Sequence, residues 1–193
     1  MSSENSKHHY IIFSAPSGSG KTTIVHQMMK KGLPLSFSIS ATSRSPRKNE
    51  QHAKDYHFLK AEDFKLKIEN DEFVEWEEVY EGVHYGTLKS ELERIFSLGK
   101  TPVFDVDVKG GIQLKNILGQ EALSIFIQVS SIHELEKRLK DRDTDSPESI
   151  QKRLDKAEYE MTFAPQFDQV IINDDLDAAV EETYTVIKNF IND

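Results

Sequence analysis

Ala15-Pro-Ser-Gly-Ser-Gly-Lys21-Thr22 fits the phosphate-loop pattern G-x-x-x-x-G-K-[ST] at every defined position but the first, where alanine stands for glycine. Upstream, Tyr10-Ile-Ile-Phe-Ser14 reads as a short buried strand; downstream, residues 20 to 31 read as a helix closed by Gly32. Strand, loop and helix form the setting the motif requires. Gly18 and Gly20 let backbone N–H groups turn inward around a phosphate at the positive end of the helix. Lys21 supplies a point charge for β and γ oxygens, and Thr22 offers a hydroxyl to Mg²⁺. A triphosphate is therefore expected on Ala15, Pro16, Ser17, Gly18, Ser19, Gly20, Lys21, Thr22 and Thr23.

Such a loop also needs an acid at the end of another buried strand. Pro102-Val-Phe-Asp105-Val-Asp107 supplies two, which alternation points to one face. Asp105 and Thr22 are the expected Mg²⁺ holders, directly or through water. An apolar strand carrying two unpaired carboxylates is costly as pure core, which favours a functional reading.

Outward from the loop, residues 35 to 41 read as one strand, 56 to 60 and 73 to 80 as two more, with a helix at about 62 to 69 between them. Thr87 is placed as the cap of a helix running to Leu98 and ended by Gly99. After the strand 102 to 107 come a helix near 110 to 118 and a strand 123 to 129. A helix opened by the capping box Ser131-x-x-Glu134 follows. The polar break 142 to 146 precedes Pro147, suited to the first turn of a helix at 147 to 163; a strand at 167 to 173 and a helix at 176 to 191, capped near Asp174 or Asp175, end the chain. The βα alternation predicts an α/β fold with a parallel sheet.

At 193 residues with 37% hydrophobic content the chain suits one domain with one sizeable core. A net charge of -9 disfavours nucleic-acid partners. No apolar run approaches a membrane span, and no cysteine offers a disulfide or thiolate chemistry. A soluble, cytoplasmic protein is expected, with residues 1 to 9 as a disordered tail. Charge is uneven: residues 41 to 60 hold Arg44, Arg47, Lys48, Lys54 and Lys60 against Glu50 and Asp55, whereas 61 to 82 hold nine acids against Lys65 and Lys67. The seven histidines show no metal-ligand spacing.

A triphosphate site alone would suit a GTPase, a transport ATPase or a kinase. The inserted segment narrows the choice. Ser40-Ala-Thr-Ser-Arg44-Ser-Pro-Arg47 is followed by Asp55-Tyr56-His-Phe58, Phe73-Val-Glu75-Trp76 and His84-Tyr85-Gly86-Thr87, then Arg138, Arg142 and Arg153, then Val170-Ile-Ile-Asn173-Asp174. This order, over about residues 10 to 190, resembles the guanylate kinase family.

The resemblance implies a P-loop NTPase core with a parallel five-stranded sheet, about 10–35, 88–137 and 163–193. It adds a small mixed α/β monophosphate-binding lobe at about 36–87 and a helical lid at about 138–162. It implies transfer of the γ-phosphoryl of ATP to GMP, with Mg²⁺ accompanying ATP and dGMP left open as an acceptor. Arg44, Arg47, Tyr56 and Tyr85 would hold the GMP phosphate; guanidinium forks and phenol hydroxyls suit its oxygens. Glu75 and Asp107 would accept from the N1–H and N2–H₂ edge of guanine, and Ser40 and Thr87 would donate to O6, with Gly86 beside them. Lys21, Arg138, Arg142 and Arg153 form the implied catalytic set, and Arg138, Arg142 and Asn173 join the ATP site.

Three departures from the family pattern are Ala15, Lys109 where glutamine is frequent, and Asp143 where the lid usually has glycine. The Glu77 to Val83 stretch looks one residue longer than in some relatives, which leaves the register of His84 and Tyr85 open. Two rival readings are a non-catalytic module of the same fold and a kinase for another nucleoside monophosphate. Retention of Lys21, Thr22 and the three arginines argues against the first, and the acids Glu75 and Asp107 against the second. Oligomeric state is not legible.

Overall fold

Tyr10–Ser14 forms β1, buried at every position, and Lys21–Lys30 forms α1, which buries Ile24, Val25 and Met28. The computed structural model containing them describes residues 8–141 and 146–193. Residues 1–7 of the expected tail, and Arg142 and Asp143 in the expected lid break, lie outside the described residues. His9, assigned to that tail, instead sets its ring edge-on against Phe190, with centroids 5.0 Å apart.

The expected strand 35 to 41 is two strands in different sheets, β2 (Leu35–Phe37) and β3 (Ala41–Thr42). Period-2 patterning marks extended chain, and it does not mark where extended chain changes partners. After β4 (His57–Phe58), α2 (Ala61–Glu69) and β5 (Phe73–Tyr80) comes β6 (Val83–Leu88), a strand the sequence reading missed. Thr87 lies inside β6 and caps nothing: α3 (Lys89–Ser97) starts after Leu88 with no side-chain cap.

β7 (Thr101–Asp105) stops two residues sooner than expected. Asp107, read as a strand residue, is the N-cap of α4 (Val108–Leu118) and accepts from Gly110 N. A strand cannot continue where the chain is already turning to start a helix. Next come β8 (Ala122–Gln128) and α5 (Ile132–Asp141), whose Glu134 N donates to Ser131 Oγ at 3.2 Å as the capping box predicts. Then follow α6 (Pro147–Met161), β9 (Gln169–Ile172) and α7 (Leu176–Asn192). Ser146 and Asp175 cap the two helices through Ser149 N and Ala178 N.

β2, β7, β1, β8 and β9 make a five-stranded sheet in that order, with the β1–β7, β1–β8 and β8–β9 pairs parallel. β1 is central, so Ile11, Ile12 and Phe13 are fully buried. With helices following its strands, this is an α/β P-loop architecture. Among the described residues, no helix is long and apolar enough to cross a membrane.

The chain divides into two units, residues 1–35 with 103–193, and residues 36–102. The second carries its own four-stranded sheet, β4-β3-β6-β5, in which β3–β4 is parallel and the other pairs are antiparallel. Its core is Ala41, Phe64, Phe73 and Leu88, with the rings of Phe64 and Phe73 stacked 4.4 Å apart. Phe64 is fully buried, so Phe64→Ala is expected to destabilise the protein by about 3–5 kcal/mol. Denaturant melts followed by circular dichroism check this value.

Candidate active site

In the first unit the loop from β1 to α1 curls where two glycines adopt left-handed backbone, Gly18 at φ 101° and Gly20 at φ 88°. A Cβ on Gly18 would lie 2.9 Å from Leu135 Cδ1, so only glycine lets the loop rest on α5. A Cβ on Gly20 would meet Asn173 Nδ2 at 2.3 Å. Asn173 is buried at the end of β9, and its Nδ2 donates to Ser19 O at 2.7 Å. It braces the loop from beneath. Asn173→Ala removes that donor and strands a buried carbonyl, an expected loss of about 1–3 kcal/mol, read as a lower Tm.

A cavity of about 410 Å³ opens against the loop, lined by Gly18, Gly20, Lys21, Thr22, Thr23 and Asp105 among others. Ala15, Pro16 and Ser17 line it too, as does Asp107. Lys21 Nζ lies 2.5 Å from Asp105 Oδ1 and donates to Val106 O at 2.8 Å. β1 and β7 are adjacent, which sets the lysine that follows one beside the carboxylate that ends the other. The cavity therefore presents a cation, the N-terminal turn of α1, a hydroxyl and a carboxylate, groups suited to a polyphosphate with a hard cation. α6 contributes Lys156 and the buried Glu160, a pair 3.5 Å apart that the sequence reading did not single out.

The three arginines expected around a lid fare differently. On α5, Arg138 Nε donates to Glu134 Oε1 at 2.9 Å and its Nη2 to Asp174 O at 3.1 Å. Arg153 is half-buried on α6, and Arg142 lies outside the described residues.

The second unit assembles the other expected residues. Arg44 Nε donates to the Tyr85 hydroxyl at 2.9 Å. Its guanidinium carbon sits 5.0 Å from the Tyr56 ring centroid and 5.5 Å from that of Phe58. Its terminal nitrogens grip Glu50 at 2.6 and 2.8 Å. These hydrogen bonds, with one from Arg47 N, pull the Glu50 carboxyl down to about 2, and the same contacts raise the Arg44 pKa. Burial raises that of the Tyr56 phenol. Arg47 is exposed.

Nearby on the same sheet, Thr87 Oγ1 donates to Glu75 Oε1 at 2.7 Å. Thr87, expected from the resemblance to donate to a base, orients the Glu75 carboxylate through this bond. β5 and β6 pair Glu75 with Thr87 and Trp76 with Gly86, and a Cβ on Gly86 would fall 2.7 Å from Glu75 O. The register left open in the sequence is fixed with Tyr85 opposite Glu77 and His84 opposite Glu78, and an irregularity between Glu78 and Tyr80 takes up slack. Ser40 is half-buried, its carbonyl accepting from His57 N. Asp107 belongs to the first unit, where one oxygen caps α4.

Two structural acids escaped the sequence reading. Glu91, 3% exposed, takes bonds from Arg94, from Ile39 N and from His57 Nε2. Burial pushes its pKa up, but the bonds from Arg94 and Ile39 N leave it lowered overall. No local pattern marks it. Glu50 stands three residues after Arg47, a loop spacing that could have flagged it.

Comparison with known proteins covers this whole arrangement. A family model described as guanylate kinase matches residues 7–190. The guanylate kinase of Bacteroides thetaiotaomicron is 58% identical over 94% of this chain and 89% of its own length. That of Porphyromonas gingivalis is 51% identical over 94% and 97%. In structure, the guanylate kinase of Anaplasma phagocytophilum superposes with a TM-score of 0.70 at 26% identity, covering 94% of this chain and 85% of that one. Phosphate loop, inserted sheet and helices α5 and α6 all fall inside the matched span, and the chain belongs to the guanylate kinase family.

Proposed function

We propose that the protein transfers the γ-phosphoryl group of ATP to GMP, giving ADP and GDP. The observation that carries this reading is the second unit's side-chain cluster, where Arg44 and Tyr85 share a hydrogen bond beside Tyr56 and where Glu75 is held by Thr87. It offers a phosphate grip and a carboxylate acceptor on one sheet, which suits a monophosphate whose base presents donors.

Backbone amides at Gly18 and Gly20 and the Lys21 ammonium would take the β and γ phosphates, once Lys21 turns from Asp105 to its anion. Asp105 and Thr22, exposed in the same cavity, would hold Mg²⁺ with few protein ligands, as that ion prefers. When bound with ATP, Mg²⁺ would supply charge neutralisation on the polyphosphate. Arg138, Arg142 and Arg153 would face the transferring group, and Arg47 would join Arg44 on the acceptor phosphate. Asp107, with one oxygen left over from capping, and Ser40 complete the proposed guanine contacts. No general base is needed, since a phosphate monoester is already anionic near neutral pH; positioning and charge stabilisation carry catalysis. Cytoplasm is the proposed location, and dGMP a proposed further acceptor.

A panel of nucleoside monophosphates in a coupled ADP-release assay tests the reading. GMP should be turned over far better than AMP, CMP or UMP, and Mg²⁺ chelation should stop the reaction. Preference for another base would remove Glu75 from its assigned role.

A further inference from the structure

We propose that Glu50 is a positioning residue for the acceptor phosphate: it fixes Arg44 so that the arginine orients Tyr85 and keeps one N–H for the ligand. The inference rests on the GMP-acceptor reading above.

A guanidinium has five N–H donors. In Arg44, Nε is given to the Tyr85 hydroxyl, Nη1 to Glu50 Oε2 and to Ser45 O, and Nη2 to Glu50 Oε1. Four donors are thus used on Tyr85, Glu50 and Ser45, and the one left on Nη2 is shared between the Tyr56 phenol and an incoming ligand. Because the Tyr85 oxygen accepts from Nε, its own proton is free to be donated outward. Arg44 and Tyr85 therefore present one N–H and one O–H, both aimed by a chain of bonds that begins at Glu50.

Two features argue that Glu50 stays in place when an anion arrives. Its Oε2 also accepts from Arg47 N at 2.8 Å, and its own N donates to Arg47 O at 3.0 Å, so the carboxylate is part of a closed turn. Both partners are also shielded, with side-chain exposures of 15% for Arg44 and 17% for Glu50. The bidentate grip that a phosphate would seek on Arg44 is already taken. Arg47, exposed and bonded to Glu50 only through its backbone, is left as the arginine able to grip phosphate with a full fork. Together these three charged groups carry one net positive charge rather than two.

The test is steady-state kinetics of wild type, Glu50→Gln, Glu50→Asp, Arg44→Ala and the double variant Arg44→Ala/Glu50→Gln. Glu50→Gln is expected to raise the KM for GMP about tenfold, with kcat at saturating GMP and the KM for ATP unchanged within about twofold. Glu50→Asp, which keeps the charge, should fall between. In the Arg44→Ala background the glutamine substitution should add nothing, because Glu50 acts through Arg44. An unchanged KM for GMP in Glu50→Gln overturns the proposal, and a lowered one shows that Glu50 competes with the phosphate. The same fold-loss in both backgrounds also overturns it. A wild-type protein that ignores GMP defeats the acceptor reading and the proposal together; wild-type turnover with an unaffected Glu50→Gln defeats the proposal alone.

Discussion

Lys21→Ala is expected to lower kcat by about a thousandfold or more while the protein stays folded. Lys21 is the side-chain cation at the loop, and its Nζ sits within the cavity against Asp105 and Val106 O. Its stem buries little core, so truncation leaves β1, α1 and their apolar contacts intact. What is lost is charge on the β and γ oxygens as negative charge shifts between them, an interaction strengthened in a dry site. The Asp105 carboxylate left behind is exposed and remains hydrated. Single-turnover kinetics and a thermal melt together check the expectation. A variant with normal turnover removes Lys21 from phosphate binding, whereas a lost melting transition would mean that it holds the fold instead.

Arg44→Ala should raise the KM for GMP about a hundredfold, with the KM for ATP little changed. The loss is larger than that of one direct contact, because the guanidinium serves three neighbours: Tyr85 through Nε, Glu50 through both terminal nitrogens, and the faces of Tyr56 and Phe58. Without it, Glu50 loses its cationic partner at the site proposed for a phosphate dianion, and Tyr85 loses the bond from Arg44 Nε. Arg44→Lys keeps the charge without the fork and should recover only part of the affinity. An Arg44→Ala enzyme with wild-type KM for GMP would place the acceptor phosphate elsewhere.

The phosphate loop and most of the core were legible because their signals are local. Gly18, Gly20 and Lys21 announce a backbone geometry and a charge, while the apolar run 10–14, the caps at Ser131 and Asp175, and Pro147 in the first turn of α6 announce element ends. The inserted sheet was less legible because partners there are set by pairing. β6 sets a histidine and a glycine among Val83, Tyr85 and Thr87, which blurs its strand signal, and β3 and β5 flank it. Thr87 looked like a cap for the same reason: a threonine before a helical pattern is a good local signal, yet its hydroxyl is spent across the hairpin on Glu75. Asp107 was misplaced on a strand because alternation carries no mark of where a strand gives way to a helix N-cap.

Site roles show the same division. Residue types and order pointed to Arg44, Tyr56 and Tyr85, and the structure brings these three together. The sequence could not show which donors were already in use. Asn173 beneath Ser19 O, Arg138 on Glu134 and Asp174 O, and Glu50 on Arg44 are all commitments made through space.

ATP labelled in its γ-phosphoryl group, incubated with the protein, Mg²⁺ and GMP, tests direct transfer between the two nucleotides. Label should appear in the β position of GDP, in step with ADP formed, and should vanish from that product in Lys21→Ala. Label released as inorganic phosphate, or absent from GDP while ATP is consumed, would contradict it.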